Sequence, residues 1–288
     1  MRGRRRTCIL GAAAATALGL SAGSTAADTA TAYYVSLGDS LARGAQPDRD
    51  GRNRETDEGY VDDVARWLRR SRPGLRTVKL GCNGETLGSM LSGGHCTYAG
   101  GSQLRAAEAF LTSHRGQIRA VTVNIGDNDV EPCLTLRRVD EACVRTKMSR
   151  LRARLPQIAR RLRTAAGPAT AIVGLTDYDQ FLAAWLRGRS GRRVARRSVA
   201  IVVALDRAAD RIYRAAGLRV ADATAAFRTT DLGHSERLAG HGRVPVAVDR
   251  ICAWTWACSG PPVGFNDHAN TRGYRVLARV ALAGLRAP

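Results

Sequence analysis

Short runs of apolar and β-branched residues alternate along this chain with stretches whose apolar positions recur every three or four residues. The short runs predict strands at Tyr33 to Leu37, Thr77 to Leu80, Ala120 to Ile125, Thr170 to Leu175 and Leu218 to Ala221. The longer periodic stretches predict helices over 60–71, 102–114, 144–166, 190–216 and 271–286. In the last of these, Val276, Leu277, Val280, Leu282 and Leu285 suit one packed face. Regular alternation of the two kinds of element argues for an α/β fold, a parallel sheet of about five strands covered by helices on both faces. The segments 44–58 and 228–250 are polar and rich in Gly, Asp and Arg, so they are expected as surface loops. With 288 residues, 44% hydrophobic, and neither an internal repeat nor a linker, the expectation is a single domain over 28–288.

The beginning of the chain is different. Arg2 and Arg4 to Arg6 precede a short apolar stretch, followed by small residues around Thr25, Ala26 and Ala27, the pattern of a signal peptide over 1–27. No other segment approaches the ~18 unbroken apolar residues that a spanning helix needs. The mature protein is therefore expected to be soluble and secreted. Cys8 leaves with the leader, and six cysteines remain at 82, 96, 133, 143, 252 and 258. An even set in an exported chain reads as disulfides, and proximity favours Cys82 with Cys96, Cys133 with Cys143, and Cys252 with Cys258. No Cys-x-x-Cys pair or close Cys/His cluster stands out, so no metal site is expected.

The formal charge of +20 falls to +16 without the four leader arginines, and 43 of the 45 basic residues are arginine. Such a surface attracts anionic polymers or lipid headgroups. The basic residues read as scattered, aromatics are 5%, and no recognition motif is present, so no specific nucleic-acid partner is expected.

Ligands of an open parallel sheet bind beyond the carboxyl ends of its strands, and three of those ends carry chemistry. The first strand runs into Gly38, Asp39 and Ser40, the second into Gly81, Cys82, Asn83 and Gly84, and the third into Gly126, Asp127, Asn128 and Asp129. His268 stands just before the last helix, which Asn270 or Thr271 can cap. A serine needs a base such as a neutral imidazole to attack a carbonyl. The oxyanion that forms needs preplaced donors, and the N–H groups of Ser40 and Gly84 with the side-chain amide of Asn128 are of the right kind.

Together these blocks resemble the GDSL, or SGNH, hydrolase family. The matching residues are Ser40 in GDSL, Gly84 in GCNGET, Asn128 in GDND, and His268, and they span 33 to about 280. The resemblance implies a three-layer flavodoxin-like fold, Ser40 as nucleophile, His268 as base, an oxyanion hole from Ser40, Gly84 and Asn128, and no cofactor. It implies ester substrates, including lipids and acetylated carbohydrates. Family members place an aspartate two or three residues before the histidine, where this chain has Asn266 and Phe265. Asp267 is directly adjacent, and adjacent side chains diverge in an unbent loop. A dyad with the carbonyl of Phe265 holding the ring is therefore expected, with Asp267 as the alternative.

Plainer roles stand beside these. Ser40 could serve only as a helix cap; Asp39 and Asp129 suit ties to loop amides; Asn83 and Asn124 suit a turn and a strand; His95, His114, His234 and His241 suit the surface. Trp254 and Trp256 could line an acyl pocket or pack a small disulfide loop, and Tyr178 or Phe181 could border the substrate or pack a helix start. The expected protein is a monomeric secreted serine esterase or lipase. Its rivals are a carbohydrate acetyl esterase and, from another class, a catalytically weak binding protein on the same fold.

Overall fold

All five apolar runs form strands: β1 (Tyr33–Gly38), β2 (Arg76–Lys79), β3 (Ile118–Asn124), β4 (Ile172–Leu175) and β5 (Arg219–Ala221). The structure, a computed structural model, describes residues 31–286, so the signal peptide expected over 1–27 lies outside the described residues. The strands pair in parallel in the order β2-β1-β3-β4-β5, the flavodoxin-like arrangement. Six of the seven residues of β3 are buried, which explains why it reads as a continuous apolar run and not as an alternation.

Ten α-helices lie among the described residues: α1 (Ser40–Arg43), α2 (Tyr60–Arg69), α3 (Leu87–Ser92), α4 (Gln103–Ser113), α5 (Asp127–Val130), α6 (Glu141–Ala166), α7 (Gly188–Ala215), α8 (Ala223–Ala226), α9 (Val246–Trp254) and α10 (Thr271–Arg286). On one sheet face, Val35, Leu37, Val121 and Val123 pack with Leu104 and Leu111 of α4 and with Leu151, Leu155 and Leu162 of α6. On the other, Tyr34, Ala120 and Val173 pack with Val61 and Val64 of α2 and with Tyr274, Leu277 and Ala281 of α10. Asn270 caps α10, its Oδ1 accepting from the N–H groups of Arg272 at 3.0 Å and Gly273 at 3.1 Å.

Three expectations need correction. The stretch 228–250 is not a plain loop: Ser235–Leu238 pairs antiparallel with Gly242–Pro245, and α9 begins at Val246. Val246, Ala247, Val248 and Ile251 supply an apolar face short enough to escape a periodicity reading. The segment 44–58 holds a two-residue ribbon, Gln46–Pro47 with Asn53–Arg54. Nor is the positive charge scattered: α6 and α7, packed side by side, carry sixteen Lys and Arg against three Asp and Glu. No helix among the described residues is long and apolar enough to cross a membrane.

The three disulfides form as nearest-neighbour pairs, with Cα–Cα spans of 6.4, 5.5 and 5.0 Å inside the ordinary range for a cystine. Close packing also sets limits elsewhere. Gly174 in β4 lies under the fully buried ring of Tyr213 of α7, and a Cβ at this glycine would fall 2.4 Å from ring atoms. Gly174→Ala is expected to destabilise the fold by about 1–3 kcal/mol, the cost of overpacking a rigid core. Denaturant unfolding of the two proteins measures it, and equal midpoints would refute the account.

Candidate active site

The site begins where β1 runs out of room. At Gly38, φ is +135°, and a Cβ there would fall 2.2 Å from the carbonyl oxygen of Asn124, its register partner on β3. Only glycine fits so close to the neighbouring strand. Gln103, at the start of α4, closes on both backbone groups of Gly38: Oε1 accepts the Gly38 N–H at 2.7 Å, and Nε2 donates to its carbonyl at 2.9 Å. Asp39 then caps α1, accepting the Leu41 N–H at 3.0 Å, while its same Oδ1 accepts from Asn124 Nδ2 at 2.8 Å. Tyr60 Oη donates to Asn124 Oδ1 at 3.1 Å and fixes the orientation of that amide. Ser40, the first residue of α1, is buried.

The loops after β2 and β3 are tied to each other. Gly84 has φ +78°, and His95 Nε2 stands 2.9 Å from where a Cβ would be, so this turn also requires glycine. His95 is exposed, as its surface reading expected, and its Nε2 lies 2.7 Å from the Asn83 carbonyl. Asn128 Nδ2 donates to the Glu85 carbonyl at 3.1 Å, bringing the two loops together. Asp129 accepts the Leu87 N–H at 2.8 Å, and the Cys82–Cys96 and Cys133–Cys143 bridges close these loops. Asp39 and Asp129 thus both hold backbone amides, as their positions suggested. Cys82, His95 and Cys96 are the one grouping of potential ligands with metal-like spacing among the described residues, but the two sulfurs are bonded to each other and offer no thiolate.

His268 is 5% exposed and sits in a bent loop. Its Nδ1 is 2.9 Å from Asn266 Oδ1 and 3.2 Å from Asp267 Oδ1. The carbonyl of Phe265 makes no hydrogen bond to the ring, which corrects the expected partner. The physical reason is the bend itself. Asn266 Oδ1 also accepts the backbone N–H of His268 at 3.1 Å, and Tyr178 Oη holds the Asp267 carbonyl at 2.8 Å. The adjacent side chains of Asp267 and His268 therefore converge instead of diverging. Asn266 Nδ2 in turn donates to Asn53 Oδ1 at 2.8 Å, which aims Oδ1 at the imidazole.

Ser40, Asn128 and Asp267 line one cleft with Asp39, Leu41, Asp127, Asp177, Tyr178 and Gln180, a cavity of about 10 Å³. Ser40 and His268 are not joined by a hydrogen bond in this structure; such bonds are often long without substrate and tighten around it. Burial works against the charged form of His268, but Asp267, with smaller help from Asp39 and Glu131, outweighs it and raises the imidazole above 6.5. Burial likewise pushes Asp39 up to about 6, despite the N–H of Leu41 and the amide of Asn124. Burial and the charge of Asp39 bring Asp177 to about 8, and burial with Asp267 brings Glu131 to about 7. Sequence reading missed Gln103, Asn124, Tyr60, Asn266 and Asp177 as site-building residues. A wholly buried Gln on the apolar face of an amphipathic helix was the one available signal.

Trp254 and Trp256 do not line the cleft: Trp254 packs edge-on against Phe227, and Trp256 Nε1 donates to Gln46 Oε1 at 3.3 Å. Phe181 is buried and stacks beside the partly exposed Phe265 with ring centroids 5.9 Å apart, and neither lines the cleft.

The fold has known counterparts. The extracellular lipase of Streptomyces rimosus superposes with a TM-score of 0.54 at 18% identity, over 88% of this chain and 99% of that one. Phospholipase A1 of Streptomyces albidoflavus gives 0.56 at 19% identity, over 88% and 99%. A mutant of Axe2, an acetyl-xylooligosaccharide esterase of Geobacillus stearothermophilus, gives 0.51 at 18%, over 89% and 95%. No curated protein matches the chain by sequence. At these identities the superpositions speak for the three-layer fold. The family model for GDSL-like lipases and acylhydrolases matches residues 36–276, from the strand that precedes Ser40 into the helix after His268, and the chain belongs to that family.

Proposed function

We propose that the protein is an exported serine esterase that hydrolyses carboxylic esters with short acyl groups. The observation that carries this reading is the convergence of Ser40, Asn128 and the His268 loop on one cleft, with Gly84 in the turn that Asn128 grips. In the proposed reaction His268 Nε2 takes the proton of Ser40 Oγ as the oxygen attacks the ester carbonyl. The oxyanion is met by the N–H groups of Ser40 and Gly84 and by the second hydrogen of Asn128 Nδ2, the first being given to Glu85. The imidazolium returns its proton to the leaving alcohol, and water activated by the same histidine releases the acid. Asn266 Oδ1 keeps the proton on Nδ1, so that Nε2 is free to act as base. Asp267 supplies the negative charge that an amide cannot.

The preference for short acyl groups rests on the cleft, which is small and largely polar, with Leu41 and Tyr178 as its apolar members. The same observation favours a second reading, removal of acetyl groups from carbohydrate. Export is supported by the leader pattern and the three disulfides. The basic faces of α6 and α7 would hold the enzyme near anionic polymers or lipid surfaces.

The test is hydrolysis of p-nitrophenyl esters from acetate to palmitate by the oxidised mature protein. Acetate and butyrate are expected to be the best substrates, and Ser40→Ala and His268→Ala are each expected to lose at least about 10³-fold in kcat. Full activity in Ser40→Ala would sink the serine mechanism. Acetylated polysaccharide outperforming every aryl ester would select the second reading.

The histidine also sets a pH profile. An imidazole whose proton affinity is raised is lost as a base once pH falls through its pKa, so the acidic limb of kcat/KM is expected above pH 6.5. Asp267→Asn removes the charge that raises it and should move that limb to lower pH. Because Asn266 still orients the ring, the rate loss should stay well short of the roughly 10⁴-fold that follows loss of tautomer control. An unmoved limb would show that Asp267 does not act on the ring.

A further inference from the structure

A groove of about 370 Å³ opens between α6 and α7, and it shares no residue with the cleft at Ser40. The two helices lie side by side and are tied at both ends. Arg197 pairs with Glu141 at the start of α6, and Arg163 Nη2 donates to the Gly217 carbonyl at 2.7 Å just beyond the end of α7. Between these ties the groove is floored by Pro156, Ala208, Ile212, Ala215 and Ala216. Small side chains leave the space open, and Pro156 takes one backbone hydrogen bond out of α6 where it stands. Arg152 and Arg160 rise on one wall and Arg211 on the other, all three exposed. The two wall residues of α6 are about 12 Å apart along the helix, at about 1.5 Å of rise per residue.

No acid lines this groove, and the acids of the two helices are engaged elsewhere. Glu141 holds Arg197, Asp210 holds Arg214 at 2.8 Å, and Asp206 accepts from the Asp177 N–H and from Thr224. Other hollows with arginine in their walls carry a paired acid, Glu108 with Arg161 in one and Asp63 with Arg66 in another. Arg152, Arg160 and Arg211 have no such partner among the described residues. Their positive field is unopposed where the floor's side chains offer no hydrogen bond.

We infer that this groove binds one long-chain carboxylate, a fatty-acid anion, whose head is met by the guanidiniums of the rim while its alkyl chain lies along the floor. The volume falls within the ~300–1,000 Å³ usual for sites that hold small organic ligands. The aliphatic stems of the three arginines extend the apolar wall around the chain. A bilayer is too flat to reach a floor set between two helices, and a polyphosphate has no alkyl part to cover it. The site stands apart from Ser40 and holds whether or not the esterase reading does.

The test is calorimetric titration of the oxidised mature protein with decanoate, with acetate as the head alone, and with decyl maltoside as the same tail on a neutral head, each below its micelle concentration. Decanoate is expected to saturate one site per chain and to bind at least about tenfold tighter than either control. Arg152→Gln, Arg160→Gln and Arg211→Gln together should weaken it by at least about tenfold, and so should Ala215→Trp, which fills the groove without altering charge. Arg192→Gln, Arg193→Gln and Arg196→Gln together remove as much charge elsewhere on α7 and should leave it unchanged. All seven positions are exposed, so the substitutions spare the core. No saturable binding of decanoate, decyl maltoside that binds as tightly, equal weakening by the two sets of arginine changes, or indifference to Ala215→Trp overturns the fatty-acid site. Phosphatidylglycerol vesicles that bind the protein when monomeric decanoate does not would reveal a lipid-surface contact instead. Polyphosphate that binds more tightly through the same arginines, untouched by Ala215→Trp, would reveal a polyanion site, and either result also overturns the inference.

Discussion

Two parallel strands, β1 and β3, end side by side with no space between their backbones, and the turn that carries Ser40 has to leave through that gap. Glycine at 38 makes the gap passable, but the close approach also buries several polar groups that water cannot reach. Each is satisfied from a different part of the chain: Gln103 from α4 closes on Gly38, Asn124 from β3 reaches Asp39, and Tyr60 from α2 holds Asn124. Gln103 Nε2 also reaches Glu85 at 2.9 Å, so the same side chain links the first strand end to the second. In such a network the loss of one member leaves others buried and unpaired, which costs more than the bond itself. The position of Ser40 is therefore set jointly by three loops, and the sheet cannot shift at this edge without disturbing all of them.

The elements were legible because parallel strands buried on both faces announce themselves as unbroken apolar runs, and long helices repeat their apolar face many times. Gly38, Ser40, Gly84, Asn128 and His268 were legible because they sit at strand ends or before a helix, where chain geometry alone gives them a common rim. The supporting residues were not. Gln103 acts 65 positions from Gly38, and Asn124 acts 85 positions from Asp39, so neither has a local signature. The histidine's partner failed to read for the same reason. In an extended chain the side chains of 267 and 268 point apart, and what makes them converge is Tyr178, 89 positions from Asp267. Asn53 then aims Asn266 from 213 positions away.

Charge is divided by region. The positive side chains stand on the outer faces of α6 and α7, where solvent screens them, while the interior rim at Ser40 is lined by carboxylates. A residue total conceals this, since the net charge describes the helices and not the cleft. Molecules that approach the surface meet fixed positive charge, whereas those that enter the cleft meet acids whose ionisation burial opposes.

The disulfides follow the same division between frame and rim. The bridged cysteines are only 14, 10 and 6 positions apart: one pair holds the Gly84 loop, one lies just beyond Asn128, and one precedes the His268 loop. Rings this small remove about 3 kcal/mol or less of unfolded-chain entropy, and none ties one strand of the sheet to another. The order of assembly follows: the sheet and its helices can close by excluding water before any cysteine is oxidised, and each correct partner is then already nearby. Oxidation finishes the rim of a protein whose frame is complete.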